Sequence, residues 1–162
     1  MSSAEEHLTA ATRLVRDTCL CVRVQRAARA LARRFDDALR PWGLTHGQFS
    51  LLVALTQGED GPQTIGEVAS GLAMDRTTLT ANLKPLARRG LLKIAVDKAD
   101  KRSRRIVITA AGRAALKAAL PAWKEAHAAL DREVGFARVG RLRADLRAIA
   151  DDGSMATAAA AE

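Results

Sequence analysis

Residues 74–109 read MDRTTLTANLKPLARRGLLKIAVDKADKRSRRIVIT: a polar helix, a glycine stop, and two apolar strands around a loop loaded with lysine and arginine. Asp75 is placed to cap the helix, and its inward positions Leu79, Leu83 and Leu86 carry the helical period across Pro85. Gly90 follows the cationic last turn Arg88-Arg89 as a C-terminal stop. Leu91–Val96 and Arg104–Thr109 then read as the strands of a hairpin, the second rich in β-branched residues. A polar helix followed by a basic hairpin is the layout of a helix that reads DNA beside a β-wing.

Working outward from this stretch, two helix starts precede it. Thr45 followed by Gln48, and Thr64 followed by Glu67, are capping-box signatures. The first opens a buried helix through Phe49, Leu51, Leu52 and Leu55, ended by the turn residues Gly58, Gly61 and Pro62. The second opens a short helix with Ile65, Val68, Ala69 and Leu72 inward and Gly71 as its stop. With the helix after Asp75, this makes helix, tight turn, helix.

Further out, the spacing of Leu14, Thr18, Cys21, Ala28, Leu31, Phe35 and Leu39 predicts one amphipathic helix from about Thr9 to Arg40, stopped by Pro41. A helix of that length at the end of a small domain needs another surface to bury its stripe, and a second subunit supplies one. Beyond the hairpin, Thr109 is placed to cap a helix running to about Val134, with Leu116, Leu120, Trp123, His127 and Leu130 on one face and a bend at Pro121. A last helix from about Ala137 to Ala150 aligns Val139, Leu142, Leu146 and Ile149. The remainder, GSMATAAAAE, is weakly patterned and is expected to be a flexible tail.

Composition agrees with a mostly α chain. Of 162 residues 48% are apolar, supplied mainly by Ala, Leu and Val, with only 3% aromatics and no Tyr. A net charge of +8 makes a polyanion the natural partner. No apolar run approaches the roughly 18 residues that cross a bilayer, and the N-terminus lacks a signal-peptide pattern, so a cytoplasmic protein without membrane contact is expected. Cys19 and Cys21 sit two apart on the predicted helix, pointing to opposite faces, and an internal disulfide is not expected. His7, His46 and His127 lie far apart with no metal-ligand spacing. No phosphate loop, nucleophile elbow or paired acids in an apolar setting is present, and neither enzyme activity nor a cofactor is expected.

The candidate DNA contacts follow from side-chain chemistry. On the helix they are Arg76, Thr77, Thr78, Thr80, Asn82 and Lys84: Arg can bridge guanine, Asn can bridge adenine, and Thr can donate to phosphate or base. On the wing they are Lys98, Lys101, Arg102 and Arg104, with Arg102 taken as the tip that enters the minor groove and Asp100 as its ion-pair partner.

The run from Thr45 through Ala111 resembles the multiple antibiotic resistance regulator (MarR) family of winged helix-turn-helix repressors, and the flanking helices extend the likeness over nearly the whole chain. MDRTTLTANLKPLARRGLL resembles its recognition helix, and DKRSRRIVIT its D-x-R wing signature, although Ala81 stands where relatives often carry Arg. The resemblance implies a homodimeric winged helix-turn-helix protein on a pseudo-palindromic double-stranded operator. Residues 1–44 would be an N-terminal dimerisation helix, 45–110 the DNA-binding lobe, 111–152 C-terminal dimerisation helices, and 153–162 the tail. It further implies release by a small effector, aromatic or lipophilic, held near Arg23, Arg26, Trp42 and His46, with Arg113 a further candidate. Aligned with peroxide-sensing relatives, Cys21 falls on their reactive cysteine, which makes a thiol-based redox sensor one alternative; the absent tyrosines favour a buried structural cysteine instead. Cys19 could approach its counterpart or Cys21 across a dimer. The other alternative is a nonspecific architectural DNA-binding protein.

Overall fold

The computed structural model describes residues 3–57, 61–97, 101 and 103–159. In chain order the elements are α1 (Ser3–Thr18), α2 (Leu20–Leu39), a 3₁₀ turn (Arg40–Trp42), α3 (His46–Ala54), β1 (Gln63–Thr64), α4 (Ile65–Gly71), α5 (Arg76–Arg88), β2 (Leu92–Val96), β3 (Arg104–Ile108), α6 (Ala110–Val134) and α7 (Phe136–Ala159). The fold is mostly α with a small antiparallel sheet, as the sequence predicts. The chain divides into two compact units, Met1–Leu120 and Pro121–Glu162.

In the first unit the expected single helix from Thr9 to Arg40 is two helices. Cys19 leaves helical geometry (ψ 107°) between them, and α1 starts earlier, at Ser3, with Glu5 and Glu6 favourably placed in its first turn. The Thr18 hydroxyl donates to the Leu14 carbonyl (2.7 Å), a back-bond that bends helices, and the Arg23 guanidinium donates to the Asp17 carbonyl at the helix end. The opposite-face argument about the two cysteines therefore fails, because Cys19 is not helical. Within the single chain Cys19 is half-buried and Cys21 exposed. Of α2, only Phe35 and Leu39 near its C-terminus are fully covered.

Both capping boxes form as predicted. The Thr45 hydroxyl accepts from the Gln48 N–H (3.3 Å) while the Gln48 side chain accepts from the Thr45 N–H (3.2 Å). Thr64 and Glu67 repeat the arrangement at 3.2 and 2.6 Å. These hydrogen bonds hold the Glu67 carboxyl below its ordinary pKa. The left-handed residue after α4 is Ala73 (φ 48°) rather than the expected Gly71. The Met74 N–H reaches back to the Ala69 carbonyl (2.9 Å), a closure that demands the left-handed conformation at the residue before it. Gly90 (φ 68°) does the same after α5, with the Leu91 N–H on the Leu86 carbonyl (2.9 Å).

Leu39, Leu51, Leu52, Leu79, Leu83, Leu86, Leu92 and Ile106 are fully buried, so α2, α3, α5 and the hairpin share one core. The sheet order is β1-β3-β2. Leu92 pairs with Ile108 and Val96 with Arg104, while Gln63 and Thr64 pair with Ile106 and Arg105. Strand β1 was not anticipated, since two residues carry no period to read. Thr109 caps α6 as predicted, accepting from the Gly112 N–H (3.1 Å) and donating to the Gly90 carbonyl (2.7 Å).

In the second unit the Trp123 and His127 rings pack against each other at a tilt of 56° (ring centroids 4.1 Å). Arg143 on α7 pairs with Asp131 on α6 at 2.9 Å, across a turn made by Gly135 (φ 94°). Val139 is buried, whereas Phe136, Leu142, Leu146 and Ile149 are exposed. Helix α7 continues past the expected end at Ala150 as far as Ala159, replacing most of the expected flexible tail with helix. The alanines and Met155 there are strong helix formers.

Candidate nucleic-acid interface

Helix α5 is pinned from behind by Leu79, Leu83 and Leu86, which turns the remaining positions to solvent. Arg76, Thr77, Thr78, Thr80, Ala81, Lys84 and Arg88 are all exposed. Asp75 fixes the helix start: its carboxylate accepts from the Thr78 N–H (2.8 Å) and the Thr78 hydroxyl (2.6 Å). Those bonds, the hydroxyl's first, hold the Asp75 carboxyl below its ordinary pKa. The Thr80 hydroxyl donates to the Arg76 carbonyl (2.7 Å). Arg76 lies beside the first turn of α4, its Nη2 3.8 Å from where a Cβ on Gly66 would stand. The end that can meet base edges thus carries one guanidinium and a row of threonines.

Asn82 sits differently from its predicted neighbours. It is half-buried, its amide donates to the Thr78 carbonyl (3.0 Å), and its Oδ1 lies 3.1 Å from where a Cβ on Gly47 would stand. Gly47 therefore lets α3 approach α5 closely at this point. Arg89, just past α5, donates to the carbonyls of Gly43 and Trp42 (3.1 Å for the latter), tying the end of α5 to the turn after α2. No local pattern foretells that contact, because its partners are backbone atoms some 46 residues away in the chain.

On the hairpin, Lys93, Lys101 and Arg104 are exposed cations, and Arg104 donates to the Lys101 carbonyl (3.1 Å). Lys98, Asp100 and Arg102 lie outside the described residues, as does Gly58. Arg105 has another task. Its Nε donates to Asp97 (2.5 Å), which is only 7% exposed, and its Nη1 to the Pro62 carbonyl (2.5 Å). One side chain thereby clamps the end of β2 to the turn before β1. Both charges fall within the hairpin read from the sequence, but only the third strand reveals why they pair.

The predicted effector residues fall into two places. Trp42 and His46 flank the turn between α2 and α3, where the His46 ring packs on Phe35 (5.5 Å) and the His46 backbone N–H donates to the Asp36 carboxylate (2.6 Å). The His46 Nδ1 is buried without a partner among the described residues. Arg23 and Arg26 are exposed on the first turns of α2; at 1.5 Å per residue, Arg23 lies roughly 18 Å along the helix from Phe35. The structure does not bring the two pairs together within one chain. Cys21 is exposed, with the Gln25 amide 3.4 Å from its sulfur. Among the described residues no three His, Cys, Asp or Glu side chains gather as metal ligands, and no helix is long and apolar enough to cross a membrane.

Comparison with known proteins fits this geometry. Residues 42–103 match the profile described as the MarR family. Over 97 residues the chain is 36% identical to the HTH-type transcriptional regulator TtmR of Methylorubrum extorquens (strain PA1), a match covering 60% of this chain and 49% of that one. The chain thus spans about half the length of this curated relative. Among solved structures, the M. tuberculosis transcriptional regulator MosR in complex with DNA is 41% identical, with a TM-score of 0.70, covering 83% of this chain and 97% of that one. The transcriptional repressor CouR bound to a 23-mer DNA duplex is 29% identical, with a TM-score of 0.71, covering 81% and 92%.

Proposed function

Because the chain belongs to the MarR family of winged-helix transcriptional regulators, we propose that it is a homodimeric repressor that grips a pseudo-palindromic operator and is released by a small aromatic or lipophilic effector. The observation that carries this reading is the exposed Arg76-Thr77-Thr78 end of α5, held rigidly on a leucine core beside the cationic hairpin. Base edges in the major groove are met by Arg76 and the threonines, and phosphates by Lys84, Lys101 and Arg104. Asn82 contributes by setting the α3–α5 approach as well as by its exposed edge. Arg102 and Lys98 remain the proposed wing tip. MosR and CouR, both seen on DNA, support the DNA partner.

The dimer is supported by the apolar side chains exposed on α1, α2 and α7. Leu14 is 63% exposed and Phe136 69%, surfaces that water disfavours and a second copy would cover. Trp42 and His46 form one end of the effector site. A small ligand cannot reach from there to Arg23 and Arg26 of the same chain, so joint use of all four requires the dimer. Release follows if the effector binds better to the dimer whose recognition helices are wrongly spaced for the operator. Fluorescence anisotropy on operator DNA, read against a panel of aromatic acids, tests it. An effector that dissociates wild type but not His46→Ala supports the site, and DNA affinity equal for operator and competitor would favour the architectural alternative.

The exposure of Cys21 favours a second reading, release by oxidation of its thiol. A Cys21→Ser protein that keeps its operator under peroxide, when wild type leaves, supports that reading; equal release eliminates it.

A further inference from the structure

Arg89 is the C-cap residue of α5 and is exposed. Its charge and its place on the basic end of the helix suggest a phosphate contact like Lys84. The structure gives it another task. Its Nη1 donates to the Gly43 carbonyl and its Nη2 to the Trp42 carbonyl (3.1 Å), both in the turn that ends α2. The chain passes through Gly43 in the left-handed region (φ 64°), and the two carbonyls face one guanidinium. A helix end leaves such carbonyls for a partner, and a planar cationic fork suits them.

The two elements joined in this way are seated differently. Leu79, Leu83 and Leu86 hold α5 in the core of the DNA-binding lobe. Only Phe35 and Leu39, near its C-terminus, hold α2 there. Its first turns expose Leu20, Val22 and Val24, with Leu20 roughly 22 Å along the helix from Phe35. Apolar packing is non-directional and lets a helix pivot, whereas hydrogen bonds to fixed carbonyls set an angle. On the other flank of the turn the Asp36 carboxylate accepts the His46 backbone N–H (2.6 Å), fastening the turn to α3. Arg89 fastens it to the helix that carries Arg76, Thr77 and Thr78.

We infer that Arg89 is a positioning residue that fixes the angle between α2 and the recognition helix, and so sets the half-site spacing the protein accepts. The inference rests on the proposed dimer, in which the exposed turns of α2 meet a second copy. An arm anchored in the dimer at one end and pinned to α5 at the other passes the separation of the two copies on to the two reading ends. Without the guanidinium each lobe keeps its core and its DNA contacts, but turns on the apolar seat of Phe35 and Leu39. The loss falls on spacing selectivity, while affinity for a lone half-site is retained.

The test is fluorescence anisotropy of wild type, Arg89→Ala and Arg89→Lys on the inverted repeat that wild type enriches from random duplex DNA. The same repeat with one base pair added or removed between half-sites, and a single half-site, complete the set. One base pair displaces a half-site by about 3.4 Å. Wild type should lose affinity about tenfold for either change, and Arg89→Ala about threefold or less. Half-site affinity, the slope of log affinity against log salt, and sedimentation should match wild type. Arg89→Lys keeps the charge without the fork and should behave as Arg89→Ala. A uniform loss on every duplex, with the salt slope lowered by about 0.9 and recovery in Arg89→Lys, would make Arg89 a phosphate contact and overturn the inference. Equal spacing selectivity in wild type and Arg89→Ala would overturn it as well. A wild type that is indifferent to spacing, or sediments as a monomer, would remove the dimer reading and the inference with it.

Discussion

Lys84 and Asp75 sit at opposite ends of the electrostatics of α5. Lys84 is exposed on α5, so Lys84→Ala should remove one phosphate contact and little else. The slope of log affinity against log salt should drop by about 0.9, with preference among operator variants unchanged. An unaltered slope in anisotropy titrations would take Lys84 out of the interface. Asp75 is the opposite charge, a carboxylate whose role is to cap the helix. Its folded pKa lies below the ordinary 3.8, because Thr78 donates to its charged form. The stability it adds is therefore complete above the unfolded value and is lost as pH falls through the folded one. Asp75→Asn keeps a capping oxygen and removes the titration, so its thermal midpoint should decline less steeply than that of wild type below about pH 4. Parallel declines in thermal scans would show that another group carries the acid sensitivity. Asp75 as cap was legible in the sequence because an N-cap acts on the residue three places on. Asn82 was legible only as a polar residue on α5, because its contact with Gly47 joins elements that are separate in the chain.

At the scale of elements, the short hydrogen-bond motifs and the buried leucine periods were readable, while breaks and close approaches were not. Both capping boxes and the Gly90 stop follow from patterns within a few residues. Strand β1 has no period, and the break at Cys19 falls in a stretch whose residues all tolerate helix on either side. Gly112 illustrates the same limit. It reads as an unremarked glycine near the start of a helix, yet a Cβ there would stand 2.0 Å from the Leu91 carbonyl oxygen and 2.8 Å from Ile108. That carbonyl accepts from the Thr109 N–H (3.1 Å), so it cannot move without disturbing the end of the hairpin. Gly112→Ala should cost about 1–3 kcal/mol in urea unfolding. A change within error would mean that α6 can slide on the hairpin without penalty.

For the whole molecule, the exposed stripes of α1, α2 and α7 are the largest feature that a single chain leaves unexplained. The sequence flagged them as needing a partner because a long amphipathic helix cannot bury its face alone. Replacing Leu142, half-exposed on α7, with Glu puts a charge into any interface formed there. Leu142→Glu should shift sedimentation toward the monomer and weaken operator binding together, whereas an unchanged sedimentation coefficient would place the dimer surface elsewhere. The claim on which all of this depends is that two copies read one DNA sequence. It is tested most directly by selecting random duplex DNA on the purified protein and sequencing the bound pool. The account predicts an inverted repeat with half-sites about one helical turn apart; a pool with no enriched motif, bound with an affinity that collapses in salt, would contradict it.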